Sequence, residues 1–198
     1  MRNPFEFCIA TWFVIISMLC VTTSSLWADS QTRVFQDDFG TVELFIEYYK
    51  PSNTNHWAVR DDVLVGFGGV DVNTPVPENC RVELDVCLRK DMNKDGFSGL
   101  RLGGVNFLIR PDGLWYAYRV EGVEKAIGQM SRMDMTYGKF YRLAVTRKVV
   151  DNGFVFTWDV DGKRIAEFTQ MSKIQGQASQ LTLVAHRIES QFDNLAIH

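Results

Sequence analysis

Cysteine is scarce in this chain and histidine scarcer still, with 4 Cys and 3 His in 198 residues. His56, His186 and the terminal His198 show no pair at ligand spacing, so a zinc centre is not expected. Basic residues are not in excess: 21 Lys and Arg stand against 24 Asp and Glu, a net charge of −3, and no Lys/Arg cluster interrupts that balance. Nucleic acid is therefore not an expected partner. No Gly-x-Ser-x-Gly elbow occurs, and Gly66-Phe67-Gly68-Gly69 lacks the strand-to-helix setting of a phosphate loop. A long amphipathic helical pattern, an internal repeat and a low-complexity tract are all missing.

What is present falls into two parts. Arg2 opens a short polar start, Phe7 to Val21 is an almost unbroken apolar run, and small residues follow at Thr22 to Ser25. This is the layout of a secretory signal, with cleavage expected after Ala28, so residues 1–28 are read as leader and 29–198 as the working domain. A membrane anchor needs roughly twenty apolar residues, and this run falls short. Cys20 lacks the small residue that should precede a lipidated cysteine. Cleavage removes one charge of each sign, Arg2 and Glu6, and leaves the net charge unchanged. The expected destination is periplasmic or extracellular, with no stable membrane anchor after cleavage.

Only Cys80 and Cys87 would remain. Seven residues apart in one extended strand, they lie about 20 Å from each other and point to opposite faces. Bridged Cα atoms sit about 5–6 Å apart, so an intrachain disulfide is excluded. Two free thiols, or an intermolecular bridge through Cys87, are the alternatives.

The domain reads as strands cut by turns. In Arg81–Val120, Val82, Leu84, Val86 and Leu88 alternate with Arg81, Glu83, Asp85, Cys87 and Arg89, a period of two that sorts them onto opposite faces of a sheet. Pro111-Asp112-Gly113 separates two further runs as a tight antiparallel connection. Trp57–Val59 and Val63–Val65 form a hairpin around Arg60-Asp61-Asp62. Gly66, Gly68 and Gly69 argue against a strand interior there, and Asp71–Asn79, with Pro75 and Pro77, reads as loop. Glu43–Lys50 fits helix or strand equally by period, until Pro51-Ser52-Asn53 ends it. Val123–Ile127 precedes a polar connector holding Met130, Met133 and Met135. Phe140–Arg147 and Phe154–Val160 are strands, Asp161-Gly162 is a two-residue hairpin signal, Lys163–Phe168 pairs back, and Leu181–His186 and Phe192–Ile197 close the chain. About ten short strands without intervening helices predict an all-β antiparallel jelly-roll sandwich. Aromatics at 13%, including 14 Phe and 5 Trp, can fill its core.

Several of these segments carry a resemblance. Asp37-Asp38-Phe39, then Trp57-Ala58-Val59 with Val63-Leu64-Val65-Gly66, looks like the first strands of the concanavalin A-like lectin/glucanase superfamily. Phe140-Tyr141-Arg142-Leu143 with Trp158-Asp159-Val160-Asp161-Gly162-Lys163 resembles its central hairpin, and Gln191-Phe192-Asp193-Asn194-Leu195-Ala196-Ile197 its last strand. Laminin-G-like modules and the keto-disaccharide hydrolases are the members it is most similar to. The resemblance implies a jelly roll and a leaning toward carbohydrate; it transfers no catalytic residue.

Glu83-Leu84-Asp85-Val86 resembles half of a glucanase catalytic strand. Retaining chemistry needs a second carboxylate about 5–5.5 Å away, and the next in-phase positions are Cys87 and Arg89, so that reaction is rejected. Asp91, Asn93 and Asp95, with Gly96 in the turning position, have the oxygen spacing of a calcium loop. Leu102 stands where the bidentate Glu belongs, so a polar hairpin turn is the preferred reading and calcium the alternative; no other cofactor is expected. Trp115 shares a face with Ala117 and Arg119, while Tyr116 and Tyr118 share the other. One of these faces must be core, and core packing is the preferred reading for Trp115 taken singly. If the face bearing Arg119 is the open one, the expected ligand groove joins Trp115 as a ring-stacking platform to Arg101, Arg119, Glu83 and Asp85 as hydrogen-bonding groups on the concave sheet. The leading expectation is an exported lectin-like domain that binds a glycan or glycoside. A hydrolase of the keto-disaccharide type and a laminin-G-like module binding an extracellular protein are the alternatives.

Overall fold

The computed structural model describes residues 33–52, 56–91, 95–120, 123–132, 134–151, 153–170 and 179–198. The leader expected over residues 1–28 lies outside them, as do Asn93 and the side chains of Asp91 and Arg119. Among the described residues no helix is long and apolar enough to cross a membrane. The strands are β1 (Phe35–Asp37), β2 (Tyr49–Pro51), β3 (Trp57–Arg60), β4 (Val63–Val72), β5 (Cys80–Asp91), β6 (Phe97–Leu102) and β7 (Val105–Arg110). They continue with β8 (Gly113–Val120), β9 (Val123–Arg132), β10 (Phe140–Val150), β11 (Gly153–Val160), β12 (Lys163–Gln170) and β13 (Leu181–Ile197). A short helix, α1 (Val42–Tyr48), precedes β2.

The ambiguous Glu43–Lys50 segment divides for local reasons. Thr41 is extended at φ −139° and its hydroxyl accepts the Leu44 N–H at 3.5 Å, which caps the helix start, and Glu43 sits favourably in the first turn. Tyr49 returns to extended backbone and donates its N–H to the Phe45 carbonyl. Tyr49 then buries its ring against Phe39 and Phe45, so the core takes the strand half.

All pairings are antiparallel, in the order β12-β11-β10-β5-β13-β6-β7-β8-β9, with β1 and β4 also on β13 and β2 and β3 on β4. The long β13 makes this order a sandwich. Leu181–His186 pairs with β6, whereas Ile188–Ile197 pairs with β5, and a register shift with Arg187 at φ 57° marks the change. β4 accompanies β13 through the same corner, Gly68 opposite Ala185 and Gly66 opposite Ser190. One layer therefore holds β12, β11, β10, β5 and the second half of β13. The other holds the first half of β13 with β6, β7, β8 and β9.

Their inner faces meet through rings. Phe107 on β7 lies 5.6 Å from both Phe156 and Trp158 on β11, and Tyr116 on β8 lies 5.4 Å from Phe168 on β12. These strands are not neighbours in the hydrogen-bonded order, so the contacts are face to face. Aromatic pairs of this kind contribute about 0.5–1.5 kcal/mol each beyond the apolar area they bury. Val82, Leu84, Val86 and Leu88 are all fully buried in this core. The expected antiparallel jelly roll is the observed fold.

Three local expectations need correction. The Gly66–Gly69 stretch is strand interior, because β4 bends there from one layer to the other and the Trp57 ring lies against Gly66, where a Cβ would come within 2.0 Å of Trp57 Cε3. Met130 belongs to β9, which runs on to Arg132; Met135 is buried, and Met133 is outside the described residues. The two closing strands are one bent strand, β13. The turn expectations hold where the chemistry was strongest: Asp61 and Asp62 (φ 53° and 59°) and Asp161 and Gly162 (φ 49° and 76°) form two-residue connections with positive φ at both positions.

Candidate binding cleft

On β6, β7, β8 and the first half of β13, alternation sends Leu100, Phe107, Leu114 and Leu183 into the core and the intervening side chains outward. The outward set lines a cleft of about 420 Å³. Its floor is apolar, built from Leu108 on β7, Ala117 on β8 and Val184 on β13, with the Gly68–Gly69 backbone at one side. Its polar groups come from four strands: Arg101, Asn106 with Arg110, Trp115, and Thr182 with His186.

These groups hold one another. Arg101 Nε donates to Asn106 Oδ1 at 2.8 Å, and Asn106 Nδ2 donates to the Ala117 carbonyl at 3.1 Å. Asn106 is nearly buried, and two bonds to its two ends fix which way its amide points. Arg110 lies over the Trp115 ring, 4.4 Å from the centroid, and Trp115 Nε1 donates to Asp112 Oδ1 at 3.0 Å. Arg110 Nε also pairs with Asp112 at 3.3 Å. The Thr182 hydroxyl is 2.6 Å from Asp71 Oδ1, and His186 stacks on Phe97 at 5.0 Å.

The expected groove is thus divided. Arg101 and Trp115 lie in one cleft, and Tyr116 turns inward onto Phe168. Arg119 lies on β8, and its side chain is outside the described residues. Glu83 and Asp85 do not join them. Leu84 between them is core, so both carboxylates face out from the other layer. There Arg142 reaches Glu83 Oε2 at 2.7 Å and Asp85 Oδ1 at 3.2 Å, Arg81 Nε meets Glu83 Oε1 at 2.8 Å, and Asn194 donates to Asp85 at 2.9 Å.

Burial alone raises the Glu83 carboxyl, but the bonds and charges of Arg142 and Arg81 outweigh it and hold it below the ordinary glutamate value. A group depressed on folding stabilises the fold above its unfolded pKa and loses that contribution as pH falls through the folded value. Asp193, raised by burial and by Asp85 and Asp38, works in the opposite direction, so the two must be separated. Glu83→Gln is expected to cost about 1.5–3 kcal/mol at pH 7, with the deficit shrinking toward pH 3. Denaturant midpoints of both proteins across that range measure it. A constant deficit would show that the ion pairs contribute nothing through charge.

Asp95 of the calcium-type loop pairs with Arg110 at 3.8 Å and Arg187 at 4.0 Å. Among the described residues no group of three or more His, Cys, Asp or Glu is placed to hold a metal ion. Cys80 and Cys87 are both buried and unbridged, so the intermolecular bridge through Cys87 has no exposed sulfur to use. Cys80 belongs to the core cluster, and Cys87 lies against Gly138, whose N–H donates to the Leu88 carbonyl at 2.8 Å.

Asn106, Arg110, Thr182 and Phe97 were not singled out from sequence. For Asn106 and Arg110 the signal was present: in Val105–Arg110 they are two of the three residues out of phase with Val105, Phe107 and Ile109.

No protein-family model matches the chain, and no curated protein matches it. Solved structures do share its fold. The alginate lyase Aly36B, as a mutant in complex with alginate tetrasaccharide, superposes with a TM-score of 0.57 at 10% identity, over 83% of this chain and 92% of that one. A sialidase gives 0.61 at 13% identity over 83% of this chain, which spans only 18% of the sialidase. The carbohydrate recognition domain of Emp46p, in a metal-free form, gives 0.55 at 9% identity, covering 84% and 95%. Identities this low establish the fold alone: the chain shares the antiparallel jelly-roll sandwich of these structures.

Proposed function

We propose that this domain binds a glycan in the cleft on the outer face of β6, β7, β8 and β13. The observation that carries this reading is the convergence of Trp115, Arg101, Asn106, Arg110, Thr182 and His186 on one apolar-floored cavity. A sugar ring offers an apolar face edged by hydroxyls, and an indole surrounded by fixed donors and acceptors is the complementary surface. The neighbours with oligosaccharide ligands or recognition domains lend support by sharing the scaffold.

Binding is preferred to hydrolysis for a chemical reason. Two-carboxylate glycoside cleavage needs a pair of acids across the sugar bond, and among the described residues no Asp or Glu lines the cleft. Glu83 and Asp85 are tied to Arg142 on the other layer. Export through residues 1–28 belongs to the same reading, and N-terminal sequencing of protein recovered outside the cytoplasm tests it.

A glycan array followed by titration calorimetry tests the cleft. Trp115→Ala is expected to weaken binding of an array hit by about tenfold to a hundredfold, with an unchanged circular dichroism spectrum. An array with no hits, or a hit whose affinity ignores Trp115→Ala, would refute the proposal. Release of product from the bound glycan would move the domain to the hydrolase reading, and capture of an extracellular protein without any glycan to the laminin-G-like one.

A further inference from the structure

We infer, building on the glycan-binding reading of the cleft, that the ligand is an oligosaccharide chain that leaves the cleft across the Gly68–Gly69 backbone and seats a further ring against Phe67 and His56. A second hollow, of about 290 Å³, lies where β3 pairs with β4. Ala58 and Val65, directly opposite each other on those strands, line it with apolar surface. Phe67 and His56, edge to face with centroids 5.6 Å apart, line it with rings. Arg60 and Glu189 add a donor and an acceptor.

Phe67 is the large apolar side chain of β4 that the core leaves out. Leu64, Val70 and Val72 of the same strand are buried in the core, while Phe67 keeps 38% of its surface exposed. A lone exposed ring is ordinary; this one stands beside the cleft. Gly66 and Phe67 line the hollow, and the next two residues, Gly68 and Gly69, line the cleft. Phe67 and Gly69 lie on the same, outer side of β4. The Phe67 ring is exposed, and a Cβ built on Gly69 would meet Thr182 Cγ2 at 3.7 Å, on a residue that lines the cleft. Two residues of strand span about 6.5–7 Å, comparable to a single sugar unit.

Glycines make the path between the two, and Gly69 among them has no reason in the fold. Gly66 is required by the Trp57 ring, and Gly68 by its φ of 102°. Gly69 has a φ outside the left-handed region, and the Thr182 methyl at ordinary contact distance is all that an added Cβ would meet. A glycine inside a strand that packing does not demand marks a place where another molecule can approach the backbone closely. With no Cβ at Gly68 or Gly69, a sugar chain can lie on bare backbone and pass from one hollow to the other. The second hollow then offers the chemistry of the first: ring surface for a sugar's apolar face, and polar groups for its hydroxyls. Glu189 also meets Arg89 at 3.4 Å, but both side chains are about half exposed, so that pair holds it only weakly.

Calorimetry on the intact domain tests this with the two-, four- and six-ring members of three series: β-1,4-linked glucose, β-1,4-linked N-acetylglucosamine and 1,4-linked uronate. A glycan outside these series that the array selects is compared at the same lengths. The longer members are expected to bind about tenfold or more tightly than the two-ring member. Phe67→Ala should bring them back to the two-ring affinity and leave that affinity unchanged, whereas Trp115→Ala should weaken every length. Gly69→Ala should keep or raise the melting temperature, since alanine suits an ordinary φ, and should weaken the longer members about tenfold. Affinity independent of length, or a length dependence that survives Phe67→Ala, overturns the inference and leaves the glycan reading standing. Full long-chain affinity in Gly69→Ala would do the same, and so would a fall in its melting temperature, because Gly69 would then serve the fold. Binding of no member of any series, and of no glycan on the array, overturns both.

Discussion

Arg147→Met is expected to lower the unfolding free energy by about 3–5 kcal/mol, seen as a fall in denaturant midpoint at unchanged slope. Arg147 is on β10, in phase with Leu143 and Val145, and is fully buried. Its Nε donates to the Glu78 carbonyl at 2.9 Å and an Nη to the Pro77 carbonyl at 2.7 Å, while the guanidinium lies 5.1 Å from the centre of the Phe154 ring. Burial pushes its pKa down, but an arginine so placed keeps its charge. A buried ion pair replaced as a whole by apolar residues can be neutral or better. Two of the partners here are main-chain carbonyls that no substitution removes, so methionine leaves desolvated acceptors costing about 1–3 kcal/mol each. Arg147→Lys, with a single ammonium, should recover part of the loss. A change below about 1 kcal/mol in Arg147→Met would mean that water reaches those carbonyls.

Arg147 also illustrates which parts of this molecule are legible in the sequence. In Phe140–Arg147 the period of two assigns it to the buried face, correctly, yet nothing in the sequence says that the Pro75–Asn79 loop folds back to meet it. Contacts set by one strand's alternation could be read off: Val82 to Leu88 inward, Trp115 and Tyr116 on opposite faces, the Asp-Asp and Asp-Gly turns, although which of the two rings faced the core could not. Relations between strands could not. Glu83 and Arg101 both alternate outward, and their assignment to one groove required them to share a layer. The chain instead changes layer along β13, so the two face opposite ways. The cause lies at Arg187 and in the glycines of β4, where a bend and a loop have the same local signature. The partners of Arg101 came from β7 and β13, and pairing register is a long-range property that no short window contains.

Gly99→Ala joins that register to the site and should be as damaging as the loss of Arg147, at about 3–5 kcal/mol. Gly99 sits in β6 between Phe97 and Arg101, on the cleft side, at φ 152°, a backbone region that is essentially closed to other residues. A Cβ built there would lie 2.0 Å from the Phe107 carbonyl oxygen and 3.2 Å from Leu108 Cα. Those are main-chain atoms of the paired strand, so no rotamer change relieves the overlap; β6 must move relative to β7. That displacement separates Arg101 from Asn106, and ligand affinity should fall together with stability. Gly162→Ala is the matched control. Its φ of 76° is also positive, but nothing lies within 4 Å of the added Cβ, so only the conformational penalty of about 1–2 kcal/mol applies and binding should be untouched. If Gly99→Ala costs no more than Gly162→Ala, β6 and β7 are not locked in the register that holds Arg101 against Asn106, and the preorganisation argued for the cleft fails with it.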